Sequence, residues 1–310
     1  MLARVLAVAM NAYREAVRAR VLYGLLAFAL AACAYSVVVA SLSIDQQTRV
    51  VSDVGAAAIS LCSVLVSIVL GATALYRELE LKTLFPILAR PLHRYEYLLG
   101  KYLGILATLV VFVAIDGAAT LGVLALEAGA KPALVLGVAG GLLVALGVAL
   151  WRAARVRVYA VVPWALVAFA TMAILAAPAG ANRRLVVASC VLTVCESAVI
   201  TAVATLFSSF SSPFLTAIFT LSVFLIGRSA DTLAHLPARQ VGEATKAVAA
   251  GLARVMPNLQ VYVPQRPVLL GEVPDLPIWP FVGKAAAQAV AYSGALLAAS
   301  AILFRRRDFT

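Results

Sequence analysis

Two carboxylates, Asp116 and Glu196, stand inside the long apolar runs VVFVAIDGAATLGVL and CVLTVCESAVITAV. An ionisable group at membrane depth is costly, and its default reading is functional: a site for a coupling proton or cation beside a cavity. The structural alternative is a carboxylate hydrogen-bonded inside a helix contact. Thr120 lies one turn beyond Asp116, and Thr193 and Ser197 flank Glu196. Other chemistry has little material. The chain holds two histidines, His93 and His235, and neither HExxH nor GxSxG occurs. Its two Gly–Lys pairs, Gly100–Lys101 and Gly283–Lys284, lack the upstream Gly and the following Ser or Thr of a phosphate loop. No catalytic, cofactor or metal site is therefore expected here, and any ATP must be bound by another chain. Cys33, Cys62, Cys190 and Cys195 sit in apolar runs without a CxxC pair and read as small core residues.

A denser polar cluster occupies residues 76–104, YRELELKTLFPILARPLHRYEYLLGKYLG, where nine of 29 residues are charged or His, against 13% charged in the whole chain. Thr83 can cap a short helix whose first turn takes Pro86, because no intrahelical N–H is lost there. Arg90 precedes Pro91, which disfavours continuing that helix, and a second helix starts near His93. Leu84, Phe85 and Leu88 then form an apolar ridge ringed by charge, the shape of a docking peg. An ordinary basic loop would account for the charge but not for the ridge and the two prolines.

The elements that must position these groups follow from composition. At 310 residues, 64% hydrophobic and mean hydropathy +1.01, the chain exceeds the roughly half-apolar makeup of soluble domains. The fold class is an all-α polytopic membrane protein with a single transmembrane domain. A span needs roughly 20 apolar residues, which places spans near 21–42, 55–76, 102–126, 133–150, 158–178, 185–207, 213–228 and 285–304. The fourth and seventh are short, and the count falls to six if 133–178 is a re-entrant hairpin. Within residues 1–20, Leu2, Val5, Leu6, Ala9, Tyr13 and Val17 share one helical face, and Arg4, Asn11, Glu15 and Arg18 share the other. That reads as an amphipathic interfacial helix rather than a cleavable signal. With the N-terminus cytoplasmic, fifteen of the 25 basic residues fall in inside segments, the bias that sets orientation. Both termini are then cytoplasmic, the net charge of +11 is a topology signal, and nucleic acid is not needed to explain it.

Residues 229–283 form the one sizeable outer region. RQVGEATKAVAAGLARVM reads as a surface helix ended by MPN, followed by a proline-studded loop, with Trp279 as an interface anchor. LFSSFSSP, residues 206–213, reads as a tight turn whose serines cap the next helix, with Pro213 in its first turn. Gly137, Gly140 and Gly141 are expected to make close helix contacts.

The pattern ELxxxTLxxxLARPLxRxEYLLGKYLG over residues 78–104 resembles the signature of membrane permeases of type-2 ABC exporters. EAVRARVLY, LFSSFSSP, MPNL and the terminal FRRRDF agree with it. The resemblance implies a permease subunit of an ATP-driven exporter in the cell (inner) membrane. Such a subunit pairs with a second copy, a homodimer, and with two cytoplasmic ABC ATPase subunits that hold ATP and Mg. It also implies that the segment at 77–101 carries the coupling helix, with an ATPase-coupling surface of Glu78, Glu80, Thr83, Leu84, Phe85, Leu88, Arg90, Pro91, His93 and Arg94. Gly100 and Lys101 match the Leu-Leu-Gly-Lys ending. Lys82 stands where the family has Gly, and His93 where it has a helix-capping Ser. Family members commonly have six spans, so 131–182 is expected to hold an inserted helix pair. Two rivals stay open: an ion-coupled secondary carrier using Asp116 and Glu196, and a non-transporting membrane scaffold regulated by the same ATPase.

Overall fold

Apolar stretches of twenty or more residues that lack paired turn signals become single helices. The structure, a computed structural model, describes residues 1–43, 46–80, 93–152, 157–230, 251, 257–263 and 278–305. Among them the helices run α1 (Leu2–Val17), α2 (Arg20–Ser41), α3 (Gln47–Glu80), α4 (Arg94–Glu127), α5 (Pro132–Arg152), α6 (Arg157–Leu175), α7 (Ala181–Ser208), α8 (Pro213–Arg228) and α9 (Ile278–Arg305). Short 3₁₀ turns lie at Ala177–Ala179 and Gln260–Tyr262. Seven helices, α2 to α7 and α9, are long and apolar enough to cross a membrane. The chain is a multi-pass membrane protein.

Two expected spans differ in length from their helices. α3 and α4 contain 34 residues each, about 50 Å at 1.5 Å per residue, so both extend past an apolar layer of about 30 Å. α8 is the reverse case. Its 16 residues cover about 24 Å, less than the layer needs. The 133–178 region is a hairpin of two continuous helices of 21 and 19 residues, each long and apolar enough to cross a membrane. Trp164 on α6 donates its indole N–H to the Leu142 carbonyl at 2.8 Å and pins the hairpin together. The expected outer helix at 239–256 falls almost wholly outside the described residues.

α3, α4 and α7 make the centre of the bundle. Between 61 and 72% of their most apolar windows are buried, against 6% for α5. α7 packs on α3 and α9, α4 on α1, α3, α6 and α7, and α2 closes against α3. The central helices approach closely because small residues sit at the crossings. A Cβ added to Gly71 would lie 2.5 Å from the Ala204 Cβ, and one on Gly104 would lie 2.5 Å from both the Ala12 Cβ and the Ala9 carbonyl. Gly137, Gly140 and Gly141 were expected to do this and do not: nothing lies within 4 Å of where their Cβ atoms would be. They lie on α5, which is peripheral and turns almost all of its surface outward.

α1 divides its expected apolar face between the protein and the exterior. Ala9, Ala12, Tyr13 and Ala16 are buried against α4, while Leu2 and Leu6 stay 87 and 60% exposed. Burial, then the nearby Tyr23 and Tyr159 hydroxyls, pushes the Tyr13 hydroxyl up to about 12. It therefore stays protonated and donates to the Val158 carbonyl at 3.2 Å. The serine-rich turn also differs from expectation. Ser208, Ser209 and Ser211 donate to Thr205, Leu206 and Phe207 carbonyls, closing the end of α7 rather than capping α8. Ser212 occupies the α8 cap position without a side-chain bond, and Pro213 starts the helix as expected.

These contacts predict opposite outcomes for two glycines. Gly104→Val should lower stability by about 1–3 kcal/mol through overpacking, whereas Gly140→Val should leave it unchanged, as read by thermal unfolding in detergent. Equal effects would contradict the packing described.

Candidate functional site

The site with the most polar chemistry lies where α3, α7 and α8 meet. Glu196, on α7, is fully buried. Its carboxylate accepts from the Arg228 guanidinium in an ion pair, and from the Ser60 hydroxyl of α3 at 3.3 Å. Arg228 also approaches Ser60 Oγ at 3.5 Å and lies 5.6 Å from the centre of the Phe224 ring, one turn back on α8. Helix length explains the meeting. α7 and α8 are joined by four residues, with the Phe207 ring tilted against Phe219 across the hairpin, 5.4 Å between centroids. From that turn Glu196 lies about 18 Å along α7, and Arg228 about 22 Å along α8.

Residues 257–263 fold over this end of α8. The Leu259 N–H donates to the Gly227 carbonyl at 3.0 Å, and Asn258 Oδ1 accepts from the Gln260 N–H at 3.0 Å, closing the small turn. Leu259 and Tyr262 are buried. Burial, with the Cys195 thiol and the Glu196 carboxyl nearby, pushes the Tyr262 hydroxyl up to about 12. Beside the cluster is a cavity of about 260 Å³ whose wall includes Asp53, Ser60, Ser189, Thr193, Arg228 and Tyr262. A buried carboxylate with a guanidinium and a hydroxyl on it has most of its acceptor capacity used. The arrangement locks three helices together more readily than it binds a transported ion. Thr193 and Ser197, the neighbours weighed from sequence, are not its partners; they come from other helices.

Asp116 on α4 is the contrasting case. It is 2% exposed, and neither carboxylate oxygen has a hydrogen-bond partner among the described residues. Thr120 does not satisfy it: the Thr120 hydroxyl donates to the Asp116 backbone carbonyl at 3.0 Å and lies 3.7 Å from Cys33 Sγ. The Cys33, Cys62 and Cys190 thiols, from α2, α3 and α7, are within electrostatic range of the carboxyl. Asp116 and Glu196 thus form two separate sites rather than one.

At the other end of the bundle, Glu78 and Glu80 fall in the last turn of α3. Thr83, Leu84, Phe85, Leu88, Arg90 and Pro91 lie outside the described residues. His93 is the N-cap of α4 and Arg94 its first residue. Glu96 closes the start of α4: its carboxylate accepts from the His93 N–H at 3.2 Å. That Glu three residues past a cap was a legible signal. Lys101 is buried on α4 and pairs with Glu15 of α1 at 2.9 Å. It is flanked by Gly100 and Gly104, the two glycines on which α1 rests. Arg228 and Ser60 carried no signal: Arg228 reads as one more basic residue at a span end, and Ser60 as one of many small residues in an apolar run.

Comparison with protein-family models and with curated protein sequences returned no match.

Removing one partner of a buried ion pair costs about 3–5 kcal/mol, because the other charge is left behind. Arg228→Met should therefore destabilise strongly, and adding Glu196→Gln should recover most of the loss in a thermal or denaturant double-mutant cycle. Additive losses would show that the two residues are not coupled.

Proposed function

We propose that this chain is the membrane permease subunit of an ATP-driven exporter, working as a dimer with two separate cytoplasmic ATPase subunits. One observation carries the reading. The polar segment at 81–92 joins two rods, α3 and α4, each of 34 residues, and α4 is clamped at its start to the interfacial helix through Gly100, Lys101 and Gly104. A push on that segment would be delivered along α3 and α4 to the centre of the bundle. The same Gly-Lys-Tyr-Leu-Gly run belongs to the sequence pattern that resembles type-2 ABC permeases. Leu84, Phe85 and Leu88 are the proposed ATPase contacts, with Glu78, Glu80, Thr83, Arg90, Pro91, His93 and Arg94 around them. Both termini and the 81–92 segment are placed in the cytoplasm by the bias of basic residues.

Asp116 supports a second reading, an ion-coupled carrier, since a buried carboxylate without a partner is the group such a mechanism requires. Glu196 gives that reading less support, because Arg228 and Ser60 already occupy it.

Replacing Leu84, Phe85 and Leu88 together by Asp should release the ATPase during co-purification while leaving the thermal midpoint of this chain unchanged. Retention of the ATPase would place the docking surface elsewhere. Asp116→Asn separates the two readings. Transport lost in this variant, but surviving ATP depletion in the parent, would favour the carrier. Single cysteines at positions 155 and 245 should label from inside and outside respectively.

A further inference from the structure

A crevice of about 890 Å³ lies at the elbow between α1 and α2, a volume within the roughly 300–1,000 Å³ of ligand sites. The elbow forms because Ala19 is extended (φ −68°, ψ 121°), so the chain turns from the interfacial helix directly into a span. The crevice is walled by α1 and the first turn of α2 on one side, and by the far half of α3 and the start of α4 on the other. Its lining is segregated. Arg14 and Arg18, both exposed, lie on the α1 side. Val21, Val69, Leu70 and Ile105 supply the apolar wall.

Charge decides what could occupy it. Lys101 also lines the crevice, but Glu15 neutralises it at 2.9 Å. Neither Arg14 nor Arg18 has an ion pair among the described residues. The crevice therefore presents two guanidinium groups above an aliphatic wall, at the level where an interfacial helix lies between headgroups and acyl chains. A guanidinium offers paired donors suited to phosphate oxygens. We propose that this crevice binds an anionic phospholipid, with Arg14 and Arg18 holding its headgroup and an acyl chain lying along Val69, Leu70 and Ile105. The occupant is a lipid rather than a free anion because the wall is aliphatic and the crevice sits at the elbow of a helix entering the bilayer. The inference needs only that the chain resides in a membrane. It stands or falls independently of the ATPase-coupling reading.

The test uses the full chain purified in a neutral detergent and titrated with phosphatidylglycerol or phosphatidylcholine, with the thermal midpoint as readout. Each variant is compared with its own lipid-free midpoint, so altered folding does not confuse the result. Phosphatidylglycerol should raise the midpoint by several degrees, and the rise should shrink with added salt. Arg14→Gln with Arg18→Gln should abolish that rise, and Arg14→Lys with Arg18→Lys should keep part of it. Arg4→Gln, on the same helix but outside the crevice lining, should leave the rise intact. An equal rise with phosphatidylcholine would overturn the proposal, as would a rise that persists in the double Gln variant. Loss of the rise in Arg4→Gln would assign the effect to the general charge of α1. The same rise with inorganic phosphate alone would make it a free-anion site. Both results would overturn the lipid assignment.

Discussion

Close helix approach is the constraint on which the rest of this bundle depends. In a bilayer, one helix gains little by exchanging lipid for another apolar surface, so association rests on tight packing and a few polar contacts. α4 comes close to α1, α3, α6 and α7 at crossings where one helix or the other carries glycine. Gly100 and Gly104 receive Val8 and Ala12 of α1, Gly117 receives Phe169 and Cys190, and Thr120 fills the space left by Gly55 on α3. At each of these glycines an added Cβ would lie within 3 Å of a neighbouring atom. α5 shows the same chemistry without the constraint. Its glycines face open space, and the helix is held chiefly by its hairpin partner α6.

Polar groups inside this packing fall into two kinds. Glu196 is tied to Arg228 and Ser60, which joins α7, α8 and α3 through one carboxylate. The tie exists because Glu196 and Arg228 lie at similar distances from the turn that joins α7 to α8, and the turn at 257–263 closes over the end of α8. Asp116 is also buried in the helix packing, with neither carboxylate oxygen bonded among the described residues. A buried polar group left without a hydrogen bond is destabilising, so a fold that keeps a carboxyl in this state, among the described residues, carries a cost that a purely structural residue would not explain.

The interfacial helix links the two ends of the functional reading. α1 rests on the first turns of α4, where Lys101 and Glu15 hold the two together. In the exporter reading, movement of the 81–92 segment reaches α4 next to this clamp. Beside this clamp α1 forms the wall of the crevice carrying Arg14 and Arg18, which Glu15 and Lys101 also line. A lipid seated there would touch α1, α3 and α4 at once, the same three elements through which a push from an ATPase would pass.

Much of the architecture was legible in the residues alone. Apolar runs of span length, the amphipathic pattern of residues 2–17, the start of a helix at His93 and Pro213 at the head of α8 are local properties, set by hydropathy, periodicity and backbone restriction. The presence of two intramembrane carboxylates was equally plain. What they touch was not. Arg228 reaches Glu196 because α7 and α8 pair as a hairpin, Thr120 turns its hydroxyl to the Asp116 backbone carbonyl rather than to its carboxyl, and the glycines that matter lie on α3 and α4 instead of the conspicuous cluster on α5. By itself, the sequence determined which segments are helical and apolar. Only the tertiary structure decided which faces meet, because two helices of similar hydropathy are distinguished by position in the bundle, and the partner of a buried polar group can come from any neighbour within reach.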